Sequence, residues 1–276
     1  MNVLKIAAFS DGSQGGNPAG VALCDALPDA PTMQRIAKEV GFSETVFAEP
    51  DPSGWRLRYF SPESEVPFCG HATIALGAAL ALQAGDGVFQ LQLNHAKISV
   101  EGHAQGGELT AALQSPPTHS SAAPAELVTA ALKLFALDQQ DLDSRINPAL
   151  AHGGADHLVL LLKSRAALAA MHYDLDSGRQ LMKDAGLVTI LLAFAENDQL
   201  FHTRNPFASG GVYEDPATGA ATAAFAGLLR DINWPHGGVI NVIQGEDMGM
   251  RSLLRAKIGP TLGESIRVSG SAHLMG

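Results

Sequence analysis

The stretch EVPFCGHATIALGAALALQAG, from Glu65 to Gly85, decides the fold. Between Ala72 and Ala84 it has almost no polar face, and its small residues allow neighbouring strands to approach closely. A helix that is apolar on every side must be buried on every side. We therefore expect a central helix enclosed by a curved sheet, with Cys69, Gly70 and His71 at its polar entrance.

A second apolar segment, Ala217 to Leu229, has the same character. Asp215 and Pro216 precede it, and these residue types favour the N-cap and the first helical position. Strand-like segments surround both apolar helices. The pattern predicts an α+β protein of two pseudo-symmetric halves, each a curved, mostly antiparallel sheet or barrel around one central helix. We expect an architectural duplication without a residue-by-residue repeat.

The boundary between the halves is predicted from composition. PPTHSSAAP, from Pro116 to Pro124, is rich in Pro, Ser and Thr and has no hydrophobic period, so it is interpreted as a linker. The first half is then expected to span residues 1–116 and the second half residues 124–264.

Charge and cysteine content narrow the class of protein. The 276 residues include 28 acidic and 18 basic ones, and a formal net charge of -10 argues against binding to nucleic acid. The N-terminus lacks the apolar run of a secretory signal, and the longest apolar helix falls short of the roughly 20 residues that a membrane span needs. Two cysteines, Cys24 and Cys69, exclude a disulfide scaffold and indicate free thiols. We expect a cytoplasmic protein with no membrane partner.

The helix starts predict an anion site. A buried helix has unpaired backbone N–H groups at its N-terminus, where its dipole places roughly half a positive charge. If both central helices point at the cleft between the halves, that cleft suits a small carboxylate. Gly70 and Gly219 keep the donors accessible, and Ala220 follows Gly219 in the same turn. All three are predicted to bind a small carboxylate-bearing metabolite.

Four motifs, taken in order, resemble the PhzF family of phenazine biosynthesis-like proteins, which has the diaminopimelate epimerase-like fold. They are GNPAGVAL with Asn17, SETVF with Glu44, RYFSPESEVPFCGHAT with His71, and EDPATGAA with Asp215. The late segment QGEDMGMRS and the closing strand IRVSGSAHLM extend the resemblance over essentially the whole chain.

The resemblance implies an activity and a set of residues. The activity is the isomerisation of trans-2,3-dihydro-3-hydroxyanthranilate by proton transfer, with Glu44 as the shuttle and with His71 and Asp215 as its catalytic partners. Asn17 is expected to contact the substrate. The resemblance also implies a homodimer, no metal and no organic cofactor, and a C-terminal strand, about 265–276, that returns to the first half.

One position departs from the family pattern, which has Ser where this chain has Ala220. Because this hydroxyl is missing, we expect the chain to differ from the phenazine-pathway enzyme itself. The residues alone are also compatible with purely structural roles. Glu44 fits a strand-edge carboxylate, His71 fits a core histidine bonded to backbone, and Asp215 fits a helix cap.

Two other functions stay open. An amino-acid epimerase or racemase needs a second acid–base group, and Pro216 stands at the expected position of a second catalytic cysteine, so Cys69 is interpreted as a small packed residue. A non-catalytic metabolite-binding protein would keep the cleft without turnover. Zinc, serine-hydrolase and nucleotide-binding motifs are absent, since the chain has no HExxH, GxSxG, P-loop or GxGxxG after a strand.

Overall fold

The computed structural model describes all 276 residues, which form six α-helices and 17 β-strands. Their contacts divide the chain into two compact units. Unit 1 contains Met1–Gln114 and Ser269–Gly276, and unit 2 contains Ser115–Val268. None of the helices combines the length and the apolar character needed to cross a membrane.

Unit 1 contains two helices and most of the N-terminal strands. The strands are β1 (Leu4–Ser10), β2 (Asn17–Leu23), β3 (Glu44–Asp51), β4 (Gly54–Phe60), β5 (Glu65–Val66), β6 (Gly87–Gln92), β7 (Lys97–Gln105) and β8 (Glu108–Pro117), and the helices are α1 (Ala30–Val40) and α2 (Gly70–Ala84). The last strand of the chain, β17 (Ser265–Leu274), returns to pair with β1 from Ser271 to Leu274.

Helix α2 is the centre of unit 1. Strands β2 and β3 are parallel and joined by α1, and strands β4 and β6 are parallel and joined by α2. The remaining neighbours pair antiparallel, as in β1–β2, β3–β4 and β6–β7. Every residue of α2 from His71 to Ala81 is buried, and the helix packs on β1, β2, β3, β6 and β7. The predicted all-round burial is confirmed as far as Ala81, whereas Leu82, Gln83 and Ala84 in the last turn are exposed.

Unit 2 contains four helices and eight further strands. The strands are β9 (His119–Ala122), β10 (Ala149–His152), β11 (Asp156–Leu162), β12 (Thr189–Ala195), β13 (Leu200–Phe207), β14 (Val212–Asp215), β15 (Val239–Gln244) and β16 (Ser252–Lys257), and the helices are α3 (Ala125–Leu134), α4 (Arg165–Ala169), α5 (Leu175–Asp184) and α6 (Gly219–Asp231).

The pairing order of unit 1 recurs in unit 2. The antiparallel pair β10–β11 is followed by a helical crossover, α4 and α5, to the parallel strand β12. Strand β13 pairs antiparallel with β12, and α6 is the crossover from β13 to the parallel strand β15. Helix α6 packs on β9, β10, β11 and β16 and is buried over most of its length. The predicted fold class is confirmed.

The segment interpreted as a linker is structured. Strand β9 lies within it and pairs with β10. Its polar side chains have specific partners, because Ser120 donates to Asp231 over 2.6 Å and Thr118 donates to the carbonyl oxygen of Glu264 over 3.0 Å. The Ser and Thr content that suggested a linker therefore serves hydrogen bonds within unit 2.

The crossover from β11 to β12 contains two separate helices. Helix α4 ends at Ala169, and Asp174 starts α5 as an N-cap whose carboxylate accepts from the backbone N–H of Ser177 over 2.8 Å. An Asp side chain that competes for backbone donors favours a helix start over a helix interior. The outer helices of unit 2 pack in one apolar cluster with strands β11 and β12.

Candidate active site

Helix α2 begins where the sequence predicts. Gly70 is its first residue and Cys69 its N-cap, but the Cys69 side chain makes no capping bond. Thr73 fixes the Cys69 backbone instead, since its hydroxyl donates to the Cys69 carbonyl oxygen over 2.6 Å. The Cys69 thiol is left to contact His71, which is the second residue of the helix.

His71 lies at the centre of a polar cluster in unit 1. Its Nε2 atom is 3.3 Å from Ser43 Oγ and 3.4 Å from Glu44 Oε2, and its Nδ1 atom is 3.3 Å from Cys69 Sγ. The side chains of His71 and Glu44 are only 7% and 12% exposed. The two residues predicted to act together are therefore in contact.

The start of β3 explains why Glu44 faces this cluster. Strand β3 runs parallel to β2, and Glu44 is registered with Ala19. Asn17 lies two residues before Ala19 in the same strand, so the alternation of side chains puts Asn17 on the same face as Glu44. Asn17 is buried. This predicted substrate residue therefore shares a sheet face with the predicted proton shuttle.

The same cluster offers metal ligands. One atom each from Glu44, Cys69 and His71 lies within 4.8 Å of the other two. Carboxylate, thiolate and imidazole are all zinc ligands, so the donor set fits an ion of that class in its chemistry. The sequence predicted no metal here, and the arrangement serves a proton transfer equally well.

Asp215 is in unit 2 and does not cap a helix. It ends β14, where it is registered with Asn205, and it is buried. Helix α6 begins at Gly219 with Thr218 as its N-cap. The expectation that Asp215 is the N-cap and Pro216 the first helical residue is therefore wrong. Strand pairing keeps the chain extended through Asp215, which moves the helix start to Gly219.

Two residues that the sequence did not single out hold Asp215. The Thr218 hydroxyl donates to its carboxylate over 2.5 Å. The fully buried Gln244 donates through Nε2 to the Asp215 carbonyl oxygen over 2.6 Å and to Thr218 Oγ1 over 3.0 Å, and its Oε1 accepts from the Thr218 N–H over 3.1 Å. Gln244 ends strand β15 and opens the segment QGEDMGMRS. This position was the signal in the sequence that could have indicated its role.

The starts of the two central helices carry different side chains. The N-cap of α2 is the thiol residue Cys69, whereas the N-cap of α6 is the hydroxyl residue Thr218. That Pro216 occupies the position of a second catalytic cysteine stays a prediction. Gly219 and Ala220, both predicted to bind substrate, are the first two residues of α6, and Ala220 is partly buried.

Ser43 is the other residue that sequence reasoning missed. It precedes Glu44 in the SETVF motif, and its hydroxyl is within hydrogen-bonding distance of His71. Within unit 1 the structure thus brings together Ser43, Glu44, Cys69 and His71. Within unit 2 it brings together Asp215, Thr218 and Gln244.

Comparisons with known proteins agree with this fold. Residues 6–275 match the profile of the PhzC-PhzF family, described as phenazine biosynthesis-like protein. The trans-2,3-dihydro-3-hydroxyanthranilate isomerase of Pseudomonas fluorescens is 31% identical over 99% of this chain and 95% of its own length. An uncharacterised isomerase of Mesorhizobium japonicum is 30% identical over 98% and 95% of the two chains. The crystal structure of a Bacillus anthracis protein of the PhzF family superposes with a TM-score of 0.86 at 21% identity, covering 99% of this chain and 96% of that one.

Proposed function

The chain is an isomerase of the phenazine biosynthesis-like (PhzC-PhzF) family, and we propose that it moves a proton within a small carboxylate-bearing substrate by using Glu44 as general acid and base. The observation that carries the proposal is the contact between Glu44 Oε2 and His71 Nε2, which are 3.4 Å apart. Both side chains are nearly buried. Geometry of this kind suits general acid–base catalysis.

The proposed reaction breaks one bond of a substrate carbon to hydrogen and forms another. The Glu44 carboxylate takes the proton, and the electron pair of the broken bond enters the π system of the substrate. Glu44 then returns the proton to a second carbon, where a new bond to hydrogen forms. No cofactor enters this cycle, because the net change is the position of one proton and of the double bonds.

His71 is assigned the role of orienting and polarising Glu44. A Cys69 thiol that donates to Nδ1 leaves the ring proton on Nε2, the atom nearest Glu44 and Ser43. The neutral ring can then donate to the Glu44 carboxylate while Glu44 moves the proton.

The substrate carboxylate is assigned to the free backbone N–H groups at the start of α2, which begins at Gly70. Asp215, held by Thr218 and Gln244, suits an amine or a hydroxyl group. That Asp215, Gly219 and Ala220 serve the same substrate molecule stays a prediction. So do the homodimer and the cytoplasmic location.

The substrate we propose belongs to the class of trans-2,3-dihydro-3-hydroxyanthranilate, on which the Pseudomonas fluorescens relative is named to act. This class combines a carboxylate with an amine and a hydroxyl. Ala220 removes the hydroxyl of the family pattern, so the exact substrate is expected to differ from that compound. An epimerase is the alternative function, and it requires a second acid–base group.

Deuterium incorporation from heavy water tests the proposal. The purified protein is incubated with trans-2,3-dihydro-3-hydroxyanthranilate, and with a panel of small amino and cyclic carboxylates selected by thermal shift, and the products are followed by NMR. We expect deuterium at one substrate carbon, and we expect Glu44→Gln to slow the exchange at least about a hundredfold. Glu39→Gln, on the exposed face of α1, is the matched control.

The outcomes separate the candidate functions. Near-normal turnover by Glu44→Gln would show that Glu44 is not the shuttle. Exchange with loss of configuration at the same carbon would identify an epimerase, and binding without exchange would identify a metabolite-binding protein. Ala220→Ser restores the family hydroxyl, and a rise in turnover of the phenazine precursor in this variant would show that Ala220 sets the substrate preference.

A further inference from the structure

A second polar cluster lies in unit 2, on side chains that the proposed function does not use. Strands β9, β10 and β11 are neighbours, and their register pairs His119 with His152 and His152 with Asp156. Directly paired residues of a sheet project from the same face. The three side chains therefore form a row across three strands.

This row faces away from helix α6. Ser120, the next residue along β9, donates to Asp231 of α6, so the alternate residues of β9 face the helix. His119 is on the opposite face and is exposed, whereas His152 is partly buried. The row is thus accessible to an ion from solution without passing the residues assigned to catalysis.

The three side chains already converge. The rings of His119 and His152 stack with centroids 4.6 Å apart and planes inclined by 20°, and His152 Nδ1 is 2.8 Å from Asp156 Oδ1. One ligand atom from each residue lies within 4.8 Å of the other two. Tetrahedral zinc with bonds of about 2.0–2.1 Å places neighbouring ligand atoms roughly 3.3 Å apart. The largest separation exceeds this spacing by at most about 1.5 Å, which rotation of the exposed His119 and Asp156 side chains can close.

The backbone beneath the row is held firmly. The turn between β10 and β11 begins at Gly153, where a β-carbon would stand 2.7 Å from the backbone nitrogen of Ala224 and 3.0 Å from the carbonyl oxygen of Ala220. This turn therefore lies directly on α6 and cannot shift toward it. A ligand set on rigid strands needs only side-chain movement to bind.

We propose that His119, His152 and Asp156 form a binding site for a divalent transition-metal ion of the zinc class. Two imidazoles and a carboxylate are the ligands that such ions prefer, whereas Mg²⁺ and Ca²⁺ favour oxygen ligands alone. Three protein ligands leave the fourth position to water. A bound ion cross-links three neighbouring strands and stabilises unit 2 against unfolding.

Metal titration of the full chain tests the site. Protein stripped with EDTA is titrated with Zn²⁺ against a chromophoric chelator and with Co²⁺ by visible absorption, in the Cys69→Ser background so that the unit 1 cluster loses its thiolate ligand. We expect one ion to bind, and His119→Gln or His152→Gln to weaken binding at least about tenfold. Asp156→Asn is expected to weaken it by roughly the same factor. His95→Gln, an exposed histidine elsewhere, is the control.

Unfolding measurements give a second readout. Zn²⁺ should raise the thermal unfolding midpoint of the Cys69→Ser protein, and the rise should be absent in His119→Gln. His152 is partly buried and contacts both His119 and Asp156, so each variant is compared with its own metal-free midpoint and only the rise caused by Zn²⁺ is scored. The proposal is overturned if the Cys69→Ser protein binds no Zn²⁺, or if the His119 and His152 variants bind it as tightly as their parent.

Discussion

Gly102 of β7 lies against Gly77 of α2 so closely that a β-carbon on Gly102 would stand 2.1 Å from the Gly77 carbonyl oxygen. That atom belongs to the backbone of a buried helix and cannot move aside like the end of a flexible side chain. The contact therefore fixes the distance between α2 and β7. It also fixes the position of Cys69 and His71, because both residues lie at the start of the same helix.

Substitution of Gly102 tests this contact. Replacing a strand glycine by alanine ordinarily favours folding, because it restricts the unfolded chain. At this position we expect alanine to destabilise the fold instead. Gly102→Ala should lower the free energy of unfolding by about 3 kcal/mol, because the new β-carbon overpacks the contact with α2. Gly87→Ala is the control, since the nearest atom to its new β-carbon is 3.9 Å away. Urea unfolding measures both, and equal stability of the two variants would contradict the expected clash.

Cys69 distinguishes the two isomerase mechanisms. Its thiol contacts His71 Nδ1, and the N-cap of the other central helix, Thr218, carries no thiol. If Glu44 carries the proton, Cys69→Ser keeps a hydrogen-bond donor to His71 and should retain activity within about threefold. A loss of about a hundredfold or more, with Glu44→Gln active, would instead identify Cys69 as an acid–base group. Steady-state kinetics on the substrate found by deuterium exchange measures the ratio.

Gln244 is expected to be a positioning residue for Asp215. Gln244→Met keeps the volume of the side chain but leaves the Thr218 N–H and the Asp215 carbonyl oxygen without this partner, each at a cost of about 1–3 kcal/mol. We expect KM to rise at least about tenfold in protein that is still folded at the assay temperature, because Asp215 loses its orientation.

A control separates this role from a general loss of stability. Gly227→Ala should also destabilise unit 2, because its β-carbon would stand 2.5 Å from Thr118 Oγ1, near the other end of α6. If that variant raises KM as much as Gln244→Met does at equal thermal stability, Gln244 has only a structural role. Thermal melts and kinetics on the same preparations give the comparison.

Buried His157 makes stability depend on pH. Complete burial lowers its pKa from 6.5 to about 4. The unfolded chain binds a proton near pH 6.5 that the folded chain accepts only near pH 4, so the folded state loses stability as the pH falls through this window. The whole shift corresponds to about 3 kcal/mol. Above pH 6.5 the group contributes no pH dependence.

Urea unfolding at about pH 7.5 and about pH 4.5 measures the effect. His157→Gln should lose less stability between these values than the parent protein, by roughly 2–3 kcal/mol. The exposed histidine variant His95→Gln should behave as the parent does. An identical pH dependence of His157→Gln and the parent would show that His157 titrates normally in the folded chain.

The central helices were the most predictable part of the fold. Their lack of a polar face admits only burial on every side, and α2 and α6 both have it. Short strands were not predictable in the same way. Strand β10 is Ala149–His152 and β9 is His119–Ala122, and neither is long enough to show an alternating hydrophobic pattern. Their pairing arises from contacts with α6 and β11, which no local pattern records.

The candidate site was likewise predictable where a local motif determines it and unpredictable where tertiary contacts do. Glu44 and His71 were named from ordered motifs, and the structure puts them in contact. The start of α6 was misplaced because Asp215 and Pro216 are good helix-start residues locally, whereas pairing with Asn205 keeps that segment extended. Gln244 reaches Asp215 from a distant strand, so its role depends on tertiary structure alone.

The pairing of β1 with residues 271–274 has a consequence for biosynthesis. Ribosomes release the chain from its N-terminus, and domains commonly fold in that order. Here unit 1 receives one of its strands from residues that emerge after the whole of unit 2, whereas unit 2 is continuous from Ser115 to Val268. The unit that carries Glu44 and His71 is thus the first to be synthesised and the last to be completed.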